Sequence, residues 1–182
     1  MSHFTTAVFS RTPADMETQL APYEEGKGSG MPKWDWYAIG GSRFEQLHLK
    51  DGSIASRARV NEIDFSRDEA QYQTALKHWD DLMEVGGDEA VQSYTDMYGS
   101  SEAFADMESR FAPFAFVDAD GVWHERGEMG WFGFSTTNGE SLKAFMAELD
   151  RILSSYTLAQ TLCDIYSSIS YVINSYCHLP YK

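Results

Sequence analysis

Four sets of side chains in this 182-residue sequence have types and spacings that could do chemistry. His3-Phe4-Thr5 has the form His-x-Thr. In that arrangement a histidine handles a proton while the hydroxyl holds phosphate. The same chemistry needs a second His-x-Ser/Thr on a facing strand, and His48-Leu49-Lys50 and His178-Leu179-Pro180 both lack the hydroxyl. His124, Glu125 and Glu128 are metal-ligand types, and His48, Asp118 and Asp120 could join them. Gly127 and the turn before His124 remove the helical spacing that would put two ligands on one face, so no metal is predicted. Asp118-x-Asp120-Gly121 opens like a calcium loop, but Val122 and His124 stand at the next ligand positions, and a hairpin turn accounts for it.

The fourth set mixes aromatics and cations. Trp34, Trp36, Tyr37, Trp123, Trp131 and Phe132 occur beside glycines, with Lys33, Arg43, Arg57, Arg59 and Arg126 nearby. Aromatic faces stack bases and arginine forks grip phosphate, which is the chemistry of a nucleotide pocket. Trp34, Trp36, Tyr37, Arg43, Trp123, Arg126 and Trp131 are therefore the candidate ligand-binding residues. Most of these aromatics are expected to fill a core, with only a minority lining a pocket. Cys163 and Cys177 lie in apolar surroundings as inert thiols, and Gly26-x-Gly28-x-Gly30 does not lead from a strand into a helix, so no dinucleotide cofactor is implied.

Charge divides the chain. Residues 1–60 hold seven acidic and seven basic side chains, residues 61–130 seventeen and four, and residues 131–182 four and three, within a net charge of −14. That balance excludes direct nucleic-acid binding through an overall positive field and directs attention to basic partners. Hydrophobic residues at 43% and charged ones at 23% predict a globular domain. No apolar run reaches the roughly 18 residues of a membrane span, and no signal peptide opens the chain. With two cysteines outside any Cys-x-x-Cys pair, a reduced, cytoplasmic protein is expected.

Several elements must position these residues. A strand is predicted over His3–Phe9, then a helix over 13–23 started by Thr12 and Pro13. Residues 43–50 and 53–60 flank Asp51-Gly52 as a hairpin, and 114–118 and 122–126 flank Asp120-Gly121 as another. Helices are predicted near 68–84, 88–98, 101–110 and 140–153, a short strand at 130–134, and a strand late in 161–179. The class expected is α+β: one domain over 1–182, a mostly antiparallel sheet with packed helices, and an acidic helical insertion over about 61–110.

The opening Met1-Ser2-His3-Phe4-Thr5, then Leu20-Ala21-Pro22-Tyr23, the block Trp34–Gly41 and Trp123-His124-Glu125 leading to Gly127-Glu128-Met129-Gly130-Trp131-Phe132-Gly133 resemble a group of uncharacterised phage and prophage accessory proteins. Ser42-Arg43-Phe44 stands where that group often has Arg-Trp, and Tyr176-Cys177-His178-Leu179-Pro180 where it tends to close on Asp-Cys-His-Ile. The resemblance implies a viral or mobile-element accessory protein and carries no activity with it. Three functions follow as expectations. The first is a phage-type binding protein that counteracts host antiviral defence by sequestering a small nucleotide-like ligand. The second is an acidic decoy or DNA mimic that captures a basic host protein. The third is a two-histidine-type phosphoesterase using His3 and Thr5. A homo-oligomer is compatible with all three.

Overall fold

The β-branched and aromatic run at the start of the chain forms β1 (Ser2–Ser10). The computed structural model describes residues 2–26, 32–34, 36–39, 47–128, 135–158 and 166–174. Arg43, Trp131, the predicted strand 130–134, both cysteines and His178 lie outside the described residues.

After β1 come α1 (Asp15–Leu20) with a 3-10 turn at Ala21–Tyr23, and then β2 (Trp36–Ile39), β3 (Leu47–His48), β4 (Ile54–Ala55) and β5 (Arg57–Arg59). Three helices follow: α2 (Glu69–Val85), α3 (Asp88–Tyr98) and α4 (Ser101–Glu108). The chain closes with β6 (Ala115–Val117), β7 (Trp123–Glu125), α5 (Gly139–Leu158) and β8 (Tyr166–Asn174).

The main sheet runs β2-β8-β1-β6-β7, with β5 also paired to β8. β1 lies antiparallel to β8 along its whole length, Ser2 opposite Asn174 and Ser10 opposite Tyr166, and parallel to β6 through Thr6–Val8. Alternation then sorts the side chains of β1 onto two faces. Phe4 and Val8 pack with Met16 and Leu20 of α1 and with Ala115 and Val117 of β6. Ala7 and Phe9 pack with Phe116 and with Phe145, Leu149 and Ile152 of α5. Helices thus cover both faces of the strand.

The expectation of a mostly antiparallel sheet with packed helices is corrected: among the described residues the fold is predominantly helical, with five α-helices outweighing strands of which most are two to four residues long. Three causes are visible. Among the described residues, the runs flanking Asp51-Gly52 pair at Leu47 with Ala55 and His48 with Ile54, and the chain then leaves the hairpin to pair Arg57–Arg59 with β8. The last helix extends to Leu158, past the predicted end at 153, and its added turn sets Tyr156 against Phe9 with ring centroids 5.5 Å apart. The β1–β6 contact is parallel, which period-2 patterning cannot reveal.

The first helix is also shorter than predicted. Thr12 does not cap it; its carbonyl instead accepts hydrogen bonds from the Ser10 hydroxyl and the Asp15 amide. The Asp120-Gly121 turn forms as expected, with Gly121 at φ +82°, a conformation that favours glycine.

Leu149 is fully buried under the sheet. Leu149→Ala should lower unfolding free energy by about 2–5 kcal/mol in urea titrations. A loss below about 1 kcal/mol would show that α5 is not a principal wall of the core.

Candidate functional site

The aromatic candidates converge, but on one another. Trp34 is 5% exposed, its indole N–H donates to the Leu20 carbonyl at 3.2 Å, and its ring meets Tyr37 edge-on at 5.0 Å. Trp123 packs between Tyr23 at 5.1 Å and Phe4 at 6.3 Å. Its indole N–H donates to Glu125 Oε2 at 2.8 Å, while Lys33 Nζ donates to Oε1 at 2.6 Å. The Tyr23 hydroxyl donates to the Gly121 carbonyl and accepts from the Trp123 amide, closing the outer edge of β7. Arg126 lies with its guanidinium carbon 5.3 Å from the Phe114 ring centre. Trp34 is therefore buried in the α1-side core, and Tyr37 and Trp123 pack half-buried against it.

Of the proton-transfer candidates, Thr5 is buried at 8% exposure, opposite Tyr171. His3 and Trp36 both pair with Ile173 from opposite sides of β8, so their backbones share one row of the sheet. His48 is exposed on the small β3–β4 hairpin.

A histidine–aspartate pair is assembled at the β6–β7 turn. His124 Nε2 lies 3.0 Å from Asp118 Oδ2, and its ring stacks on Phe116 at 4.4 Å with planes 14° apart. Asp118 Oδ1 accepts from the amides of Asp120 and Val122, each at 2.9 Å. The carboxylate therefore organises the turn and the imidazole together. Tyr156 of α5 accepts from the Ala119 amide at 2.7 Å. Burial first, and then the negative charges of Asp118 and Asp120 against the opposing Ala119 hydrogen bond, push its phenol up to about 12. The sequence placed Asp118 and His124 together only as metal-ligand types. Among the described residues no group of three or more His, Cys, Asp and Glu is set to hold a metal.

The acidic segment becomes a helical module with its own aromatic core. Asp68 caps α2 by accepting from the Gln71 amide, and Ser100 caps α4 by accepting from Ala103. Trp79, Tyr94 and Tyr98 surround Phe104, with ring centres 5.7, 5.6 and 5.0 Å from it. The module's ion pairs gather at one end. Arg67 reaches Glu69 and Asp106 and covers the Tyr72 ring at 4.0 Å, and Arg110 ties Asp106 to Asp150 of α5.

Seventeen residues of α2 carry the chain about 25 Å away from that end. There Asp80, Asp81, Glu84, Asp88 and Glu89 are exposed, and among the described residues none has an ion-pair partner. Neither α2 nor α3 has a basic residue in its last turn. An open groove of about 710 Å³ continues this surface between α3 and residues 137–139, lined by Asp88, Glu89, Asp96 and Met97 among others.

No protein-family model, curated protein or solved structure matches the chain. Among the described residues no helix is long and apolar enough to cross a membrane.

Tyr156 yields a pH prediction. A phenol whose folded value lies above its unfolded value of about 10 contributes stability below pH 10, lost as pH rises through about 12. Alkaline unfolding of the wild type should steepen across that window, and Tyr156→Phe should shrink the fall. An identical fall in the variant would assign it to another group.

Proposed function

We propose that the protein is a non-catalytic binding protein that presents the α2–α3 end of its acidic module to a basic surface on a partner protein, in the manner of a decoy for an anionic ligand such as DNA. The observation that carries this reading is the placement of carboxylates where they destabilise the free protein. Asp80 and Glu84 stand four residues apart on one exposed helix, a like-charge spacing that opposes folding. Both lie toward the C-terminal end of α2, whose unsatisfied carbonyls are already partly negative. Lys77 is the one lysine or arginine of α2 and makes no ion pair with them among the described residues, while Arg67 and Arg110 are held at the other end. Charges that cost stability in isolation are relieved by a cationic partner, and the same field speeds its encounter.

In the setting that the resemblance implies, the partner is a host defence factor that itself grips nucleic acid through lysine and arginine. The nucleotide-sequestering alternative is less well supported, since Trp34 is buried in the core and Trp123 is half-buried between Tyr23 and Phe4.

Two variants test the proposal. Asp80→Asn with Glu84→Gln removes the repulsion without setting new lysines beside Lys77 and should melt about 1–3 °C higher. The charge-reversed Asp80→Lys, Asp81→Lys, Glu84→Lys variant tests binding. In affinity capture from host extract, basic proteins eluting at moderate salt should stay with the wild type and be lost by the variant. Capture of the same set by both proteins would dispose of the reading.

A further inference from the structure

We infer that the acidic module is a hinged arm, which swings as one body about the two chain crossings that join it to the sheet. The inference goes beyond the binding role proposed above and does not depend on it. The pivot is built where the module begins and ends. The Asp68 amide donates to the Ser109 carbonyl at 2.8 Å, so the chain enters and leaves at one point. On the body side of that bond, Phe65 and Phe111 meet edge-on at 5.5 Å and pack with the core under the hairpin. On the module side, Ala75, Trp79, Phe104 and Ala105 form the interior. Among the described residues, none of α2, α3 or α4 enters the hydrophobic cores of the body. An insertion with adjacent ends and its own core can move as a unit.

A small seat away from the pivot sets the angle of the arm. The Arg110–Asp150 ion pair lies beside the pivot and has little leverage on a rotation. The module meets α5 through α3, a helix with no buried residue. The groove of about 710 Å³ parts the exposed side of α3 from residues 137–139, so module and body face each other across a cleft. They close at Gly139, where a side-chain carbon would come within 2.5 Å of the Asp96 carbonyl oxygen and 2.9 Å of that of Met97. Glycine thus lets the start of α5 seat directly on the end of α3. Arg126 brings its charge to Tyr98 at the same end of α3. The body side of the seat is fixed by Asn138, which accepts from the Ser141 amide, and by the Ser141 hydroxyl, which donates to the Arg126 carbonyl. Since α2 reaches about 25 Å from the pivot, a swing of about 20° would move its far end by roughly 9 Å.

Val85→Cys and Val122→Cys, both at exposed positions, carry spin labels that report the angle in the full-length chain, with Cys163→Ser and Cys177→Ser. Gly139→Ala then forces the Asp96 carbonyl to retreat by roughly 1 Å to ordinary contact distance, which opens the seat. Alanine otherwise favours a helix over glycine, so any loss comes from the seat. The distance distribution should broaden and gain a population displaced by up to about 9 Å, with helical circular dichroism as in the wild type. A distribution that superimposes on the wild type would overturn the hinge. Hydrogen exchange of the wild type in low denaturant tests the separateness of the arm without a substitution at the seat. The amides of Trp79, Phe104 and Ala105 should open together at least about tenfold more often than those of Phe9, Val117 and Leu149. Indistinguishable opening of the two sets would make module and body one cooperative unit, and would overturn the hinge even if Gly139→Ala does not fold.

Discussion

The two-sided burial of β1 is the constraint on which the rest of the molecule depends. Its residues from Phe4 to Ser10 are all inside, so each neighbour must supply both backbone partners and apolar cover. β8 and β6 satisfy its edges, α1 its first face and α5 its second. A strand in that position reads as a nearly continuous apolar run, which HFTTAVF is apart from its threonines. Lys33, Glu125, Trp123 and Tyr23 then stitch the outer strand to the turn after α1, so that the short edge at β7 is closed by a phenol hydroxyl.

Against that frame the acidic module is a nearly separate piece of construction. It has its own ring-packed interior around Phe104 and its own caps, and it meets the body through α3 and α5 and through arginines at one end. On the binding role proposed above, this division of labour separates stability from recognition. Arg67 and Arg110 sit where helices must be joined, and at the other end carboxylates outnumber Lys77, the one lysine or arginine of α2. A surface with this bias gains specificity and encounter rate from its charge, and affinity from whatever apolar contact it adds.

How much of this was legible in the sequence depends on how local each feature is. The helices near 68–84, 88–98 and 101–110 were readable from apolar spacing and from the Gly86-Gly87 break, signals within a few residues of one another, while the Asp68 and Ser100 caps emerged only in the structure. The Asp120-Gly121 turn was readable for the same reason. The role of Trp34 and Trp123 was not, because an aromatic beside a glycine looks the same whether it lines a pocket or fills a core. What decides is a partner about 14 residues away for Trp34, the Leu20 carbonyl, and about 100 away for Trp123, the Tyr23 hydroxyl. Balance between helix and sheet was misjudged at residues 43–60, where strand propensity was real but β8 drew Arg57–Arg59 away from the hairpin. Asp118 and His124 were seen as ligand types, while the backbone amides that claim Asp118 are invisible to composition.

The pairing of β1 with β8 also dictates an order of assembly. All five helices α1–α5 lie between these strands, so on a ribosome β1 waits for its principal partner until those helices have been made. During that interval its apolar faces and its unpaired edge are open to other chains. The helices α2–α4 depend on local contacts and can form first, since short loops close with little entropic cost. Their carboxylates then surround an unfinished sheet with negative charge, and like-charged chains keep apart. The same side chains that disfavour the finished helix thereby act as a built-in solubility tag for the nascent protein.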